Sequence, residues 1–141
     1  MKIFDRIYLV KNNKLPPDIK KIQKTLNFPE DQIIVAVRAL FCCEYCGKNL
    51  LQSVDSYDSW QIDHIVPDGS RDPENLALSC KTCNFAKRHT TISELSNYSS
   101  RNEKIEQARQ IVWERRTKKE INLMKVREFA RLLLKLDYKS T

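Results

Sequence analysis

The chain has 141 residues, a length that suits one compact domain with room for an appended segment. It contains no run that approaches the ~20 apolar residues of a membrane span, and its first six residues lack the features of a signal peptide. We therefore expect a cytoplasmic protein that does not enter a membrane. The formal net charge of +7 favours a polyanionic partner, nucleic acid first and an acidic membrane surface second.

The N-terminal part of the chain predicts helices. A short apolar-rich start, Ile3 to Val10, is followed by a break at Leu15-Pro16-Pro17. Pro17 suits the beginning of a helix that runs to about Leu26, and acidic residues favour a second helix from Asp31 to Leu40. We treat residues 1–40 as an N-terminal helical segment.

The central region predicts two short strands separated by turns. Ser59 to Ile65 and Asn75 to Ser79 have strand character, and Trp60 and Tyr57 are expected to lie in the core. Chain-breaking residues surround these strands, at Gly47, Asp68-Gly69-Ser70 and Asp72-Pro73.

Four cysteines form two CxxC pairs, Cys43 with Cys46 and Cys80 with Cys83, with 33 residues between the pairs. Two such pairs supply four thiolates to one tetrahedral Zn²⁺, so the spacing predicts a structural zinc site. A redox CxxC pair is the alternative, but it would not require the second pair. The fifth cysteine, Cys42, has a less usual spacing and is interpreted as a buried apolar residue.

Several elements occur together with these pairs. Tyr45-Cys46-Gly47 is followed by Asp63-His64-Ile65-Val66-Pro67, then by Asn75-Leu76, and finally by Cys83-Asn84-Phe85-Ala86-Lys87. In this order and spacing they resemble the HNH endonucleases, also called ββα-metal nucleases, over residues 41–89. The resemblance implies an α+β fold: a zinc-supported ββα core at 41–90, preceded by the N-terminal helices and followed by a helical C-terminal arm at 91–141.

The resemblance also implies the roles of individual residues. His64 would be the general base, a task that suits a neutral imidazole near pH 7. Asp63 and Asn84 would be oxygen ligands of a catalytic Mg²⁺ or Mn²⁺. Asn75 would hold the loop between the strands and help to orient His64. Lys87, which shares a helix face with Asn84, would contact a phosphate. One departure is the loop before Asn75, which lacks the Gly-Gly pair of many relatives.

The C-terminal arm predicts a long basic helix. Apolar residues recur at helical spacing in two stripes, Ile105-Ala108-Ile111-Val112 and Val126-Phe129-Ala130-Leu133-Leu136, and such stripes favour packing on a core. Residues 101–141 hold 12 Lys/Arg against 6 Asp/Glu. The residues predicted to contact nucleic acid are Lys87, Arg88, Arg115, Arg116, Lys118 and Lys119. An ordinary solvated face is the alternative for those on the arm.

The predicted activity is metal-dependent hydrolysis of DNA, with double-stranded DNA as the expected substrate and 5′-phosphate and 3′-hydroxyl ends as the products that the resemblance implies. A homodimer would suit double-strand cutting, whereas one site per chain also permits nicking. The main alternative is a zinc-stabilised nucleic-acid-binding module that does not cut. Such a module would not need Asp63, His64 and Asn84 together. A RING-like interaction domain would leave the basic charge unexplained.

Overall fold

The computed structural model of the chain describes residues 17–135; the apolar-rich start at Ile3 to Val10 and the stripe residue Leu136 lie outside the described residues. The fold is α+β, with six helices and two strands in the described part of the chain. In chain order the elements are α1 (Pro17–Leu26), α2 (Glu30–Arg38), α3 (Val54–Asp58), β1 (Trp60–His64), a 3-10 turn (Pro73–Asn75), β2 (Leu76–Cys80), α4 (Lys81–Lys87), α5 (Ile92–Ser96) and α6 (Arg101–Leu134).

The two strands form an antiparallel hairpin that continues directly into α4. Trp60 pairs with Cys80 at one end, and His64 pairs with Leu76 at the other. All five residues of β2 are buried, and α2 covers the hairpin with a continuous buried run at residues 33–37. The predicted strands and the predicted ββα order are confirmed.

Aromatic side chains pack around Trp60. Its ring stacks on that of Phe28 with centroids 4.7 Å apart, and Phe41 and Tyr57 meet it edge-on. Trp60 is buried and Tyr57 is half-buried, so the predicted core role of Trp60 is confirmed. The short helix α3 before β1 was not predicted; Ser53 caps it by accepting a hydrogen bond from the Ser56 N–H.

Helix α6 has 34 residues, a length of about 51 Å. Its proximal half, residues 101–116, buries Ile105, Ala108 and Val112 against the core. In its distal half, residues 117–134, only Ala130 is buried. The expectation that the second stripe packs on the core is therefore wrong for the described residues, because α6 is longer than the core beside it.

Within residues 17–135, none of the helices combines the length and the apolar character needed to cross a bilayer.

Candidate active site and metal centre

The four paired cysteines come together in one cluster. The sulfur atoms of Cys43, Cys46, Cys80 and Cys83 all lie within 4.8 Å of one another, and those of Cys46 and Cys80 are 3.8 Å apart. Four sulfurs at about 2.3 Å from a tetrahedral zinc ion are about 3.8 Å from each other. The donor set and the spacing therefore fit a structural Zn²⁺.

Local structure explains how each pair converges. Gly47 has a φ of 78°, a conformation that glycine adopts without strain, and its N–H donates to the Cys43 carbonyl at 2.8 Å to close the first knuckle. Cys80 is the N-cap of α4, and its sulfur accepts a hydrogen bond from the Cys83 N–H. Cys42 lies outside the cluster and is half-buried rather than buried.

The close packing of the thiols changes their acidity. Sulfur hydrogen bonds, the largest of them from Cys43, lower the pKa of Cys80 to about 6 and that of Cys46 far below its usual range. The same kind of bond raises the pKa values of Cys43 and Cys83 above the usual range, so the protons of the cluster are unevenly shared. The thiolate is the form of cysteine that binds metal. The Arg116 guanidinium adds a positive charge, because its Nη1 donates to the Cys83 sulfur at 3.2 Å.

A cleft of about 300 Å³ lies beside the end of β1 and the exposed side of α4. It brings together four residues that the sequence singled out, Asp63 and His64 from β1 and Asn84 and Lys87 from α4. The second cysteine pair joins β2 to α4, since Cys80 ends β2 and Cys83 lies in the first turn of α4, and β1 is held beside them by its pairing with β2. The donor set of the cleft, a carboxylate and an amide oxygen, fits a hard divalent cation.

Asp63 is held by two donors. The hydroxyl of Tyr45 donates to its Oδ2 at 2.6 Å, and the Nζ of Lys87 lies 2.9 Å from the same atom. Lys87 is only 4% exposed and also donates to the His64 carbonyl at 2.7 Å. Two of its three N–H groups are thus used inside the protein, and the phosphate contact of Lys87 stays a prediction.

Tyr45 was missed by the sequence analysis. It lies inside the first knuckle and is buried, and burial followed by the charge of Asp63 raises the pKa of its hydroxyl well above the usual range. The element Tyr45-Cys46-Gly47 supported the resemblance to the HNH endonucleases and the zinc site, but it gave the tyrosine no role of its own. The contact with Asp63 depends on how the knuckle docks on the hairpin.

Asn75 ties together the loop between the strands. Its Oδ1 accepts from the Val66 N–H at 2.9 Å. Its Nδ2 lies within hydrogen-bond distance of the Val66 carbonyl, an Asp68 carboxylate oxygen and the Ser70 carbonyl. The side chain therefore fixes the loop backbone from Val66, two residues after His64, to Ser70.

The side chain of Asn84 is oriented by a neighbour on β1. Its Nδ2 donates to the Oε1 of Gln61, which occupies the amide nitrogen and leaves the amide oxygen for a cation. Gln61 carried no signal in the sequence analysis, because a single polar residue on a short strand is common.

The residues expected to contact nucleic acid have different surroundings. Arg88 stacks on the Phe85 ring, with 3.8 Å between its Cζ and the ring centroid, and it lines the cleft beside the exposed His89. Lys118 and Lys119 are exposed on α6.

Arg115 and Arg116, which the sequence analysis expected to contact phosphates, also make contacts within the protein. The Nη1 of Arg115 lies within 3.1 Å of the carbonyl oxygens of Ala86, Lys87 and Arg88. Arg116 contacts the cysteine cluster. These contacts of the two guanidinium groups join α6 to the C-terminal end of α4 and to the cysteine cluster.

Residues 43–90 match the family model of the HNH endonucleases. This segment is an HNH domain. The match contains both cysteine knuckles, the hairpin and the cleft, and it covers about a third of the chain. Searches among curated proteins and among solved structures found no match. The HNH domain supports a metal-dependent, nuclease-type function on nucleic acid.

Proposed function

We propose that the chain is a metal-dependent endonuclease that hydrolyses phosphodiester bonds of DNA, with His64 as the general base. The observation that carries the proposal is the cleft of about 300 Å³, in which a histidine, a carboxylate and an amide lie together. A zinc-stabilised module that only binds nucleic acid would not need this combination.

The roles follow from the contacts of each residue. His64 takes a proton from the attacking water, whose oxygen then bonds to phosphorus while the bond to the 3′ oxygen breaks. Asp63 and Asn84 would hold Mg²⁺ or Mn²⁺, which supplies charge relief on the phosphate and on the leaving oxygen. The leaving oxygen takes up a proton, and the ends are a 5′-phosphate and a 3′-hydroxyl. Asn75 positions His64 through the loop backbone.

The surrounding charges suit a DNA backbone. Arg88 lines the cleft, and Lys118 and Lys119 add exposed positive charges on α6. Double-stranded DNA is the proposed substrate. The HNH domain at residues 43–90 would cut one strand at a time, so a double-strand break would require a second copy of the chain or a second encounter.

The test is plasmid cleavage with Mg²⁺ or Mn²⁺ by the His64→Ala variant. Loss of a general base should slow cleavage by roughly 10²–10⁴-fold while DNA binding persists. His89→Ala is the comparison, since His89 is the chain's second histidine and also lines the cleft; because His64 is the proposed base, this variant should slow cleavage far less. A His64→Ala protein that cuts at the wild-type rate would refute the assignment.

Asn84→Ala separates the metal ligands from the base. This variant loses one oxygen ligand, so its cleavage should need more Mg²⁺ or Mn²⁺ and should partly recover at high metal concentration. His64→Ala should show no such recovery because its missing group moves a proton. A metal titration of both variants makes the comparison, and equal recovery of both, or of neither, would show that the division of roles is wrong.

A further inference from the structure

The first zinc knuckle contacts the cleft through one side chain. Tyr45 lies between the zinc ligands Cys43 and Cys46, and its hydroxyl is 2.6 Å from Asp63 Oδ2. A buried phenol hydroxyl usually has a hydrogen-bond partner. The partner of Tyr45 is the Asp63 carboxylate, which lines the cleft.

One donor to Asp63 lies inside the first knuckle, and the other lies on the helix that begins at the second knuckle. Tyr45 belongs to the first, and Lys87 lies four residues after Cys83 of the second, at the end of α4. Both reach Oδ2, and none of the hydrogen bonds among residues 17–135 has a donor on Oδ1. The carboxylate is therefore fixed through one oxygen while the other is left for a cation.

We propose that Tyr45 is a positioning residue that orients the Asp63 carboxylate for the divalent cation; this inference rests on the proposed function. The ring of Tyr45 is immobilised by burial and by the flanking zinc ligands, so its hydroxyl has a fixed position. Lys87 has a longer and more flexible side chain. Without the hydroxyl, the carboxylate can rotate and pair with Lys87 through both oxygens, which removes Oδ1 from the cleft.

The magnitude follows from the behaviour of groups that hold metal ligands. Loss of such a partner typically weakens metal binding or activity by roughly 10–100-fold. Tyr45→Phe keeps the buried ring and removes only the hydroxyl, so its effect should fall on the affinity for the divalent cation. The rate at saturating metal should change much less, because His64 is untouched.

The experiment measures Mn²⁺ binding directly by electron paramagnetic resonance and, separately, the Mg²⁺ dependence of plasmid cleavage. Tyr45→Phe should raise the Mn²⁺ dissociation constant and the half-saturating Mg²⁺ concentration by roughly 10–100-fold. Tyr57→Phe is the matched control, since Tyr57 packs edge-on against Trp60 and does not line the cleft, and it should change neither. Zinc content should stay at about one per chain in all three proteins.

Each outcome has a distinct meaning. Unchanged Mn²⁺ affinity in Tyr45→Phe overturns the positioning role while the proposed function stands. Loss of zinc from Tyr45→Phe also overturns it, because Tyr45 would then act by supporting the knuckle. A wild-type protein that neither binds Mn²⁺ nor cleaves DNA would instead overturn the proposed function.

Discussion

The two halves of α6 both combine apolar residues with basic ones, but their surroundings differ. In the proximal half, four arginines reach the HNH domain. Arg101 pairs with Glu44 at 2.7 Å, and Arg109 donates to the Glu44 carbonyl at 2.7 Å. Arg115 and Arg116 bind α4 and the cysteine cluster. In the distal half, the described contacts of basic side chains are confined to the pair of Arg131 with Glu128 on the same helix.

This difference shows what a helical pattern does and does not determine. Both halves carry an apolar stripe and several basic residues, and both are helical. Burial depends on whether another part of the chain lies beside the stripe. Similarly, an arginine stabilises the fold only where an unpaired carbonyl, carboxylate or thiolate lies within its reach. The proximal half therefore packs against the HNH domain, whereas the distal half is a solvent-exposed basic helix.

Of the experiments that compare the two halves of α6, zinc removal should have the largest effect. Binding of a structural zinc ion contributes about 10–16 kcal/mol, most of which is folding free energy. Removal should unfold the HNH domain and thereby the docking surface of the proximal half. Trp113→Phe leaves Trp60 as the single tryptophan, and because Trp60 is buried, a strong zinc chelator should shift its fluorescence to the red.

The opposite variant is the control for the zinc experiment. Trp60→Phe leaves only Trp113, which lies on α6 and is 73% exposed. Its emission should change little when zinc is removed. Metal analysis should find about one zinc per chain before the chelator is added. A zinc-free protein that keeps the buried emission of Trp60 and unfolds cooperatively would contradict the structural role of zinc.

The elements with strong local signals were predictable from the sequence. The observed β1, β2 and α4 agree with the predicted segments because CxxC pairs, glycines and prolines mark their boundaries. The cleft residues could be named because they belong to a recognisable motif. The contacts of Tyr45 and Arg115 could not be predicted, since each joins segments about 20 to 30 residues apart and depends on how these segments dock.

A single type of substitution compares the two stripes of α6. Val112 is 2% exposed and Val126 is 63% exposed. Val112→Ala leaves a cavity in the core and should lower the free energy of unfolding by about 2 kcal/mol. Val126→Ala should change it by less than about 0.5 kcal/mol. Thermal unfolding of both variants measures the difference. Equal destabilisation would mean that the distal stripe is also covered in solution.

The smallest effect concerns the two exposed lysines, Lys118 and Lys119, at the beginning of the distal half. Each phosphate contact changes the slope of log affinity against log salt by about 0.9 on duplex DNA. If both lysines contact phosphates, Lys118→Gln with Lys119→Gln should flatten that slope by about 1.8. His64→Ala is the background, so that the DNA stays intact during the measurement.

The matched control for the two lysines places the same charge change elsewhere on the protein. Lys21 and Lys24 are exposed on α1, and Lys21→Gln with Lys24→Gln also lowers the net charge by two. A slope that flattens only in the α6 variant would assign a DNA-binding role to the beginning of the distal half. Equal flattening in both variants would show that affinity follows total charge. An unchanged slope in the α6 variant would show that its lysines only solvate the helix, because a lysine that contacts no phosphate releases no counterion.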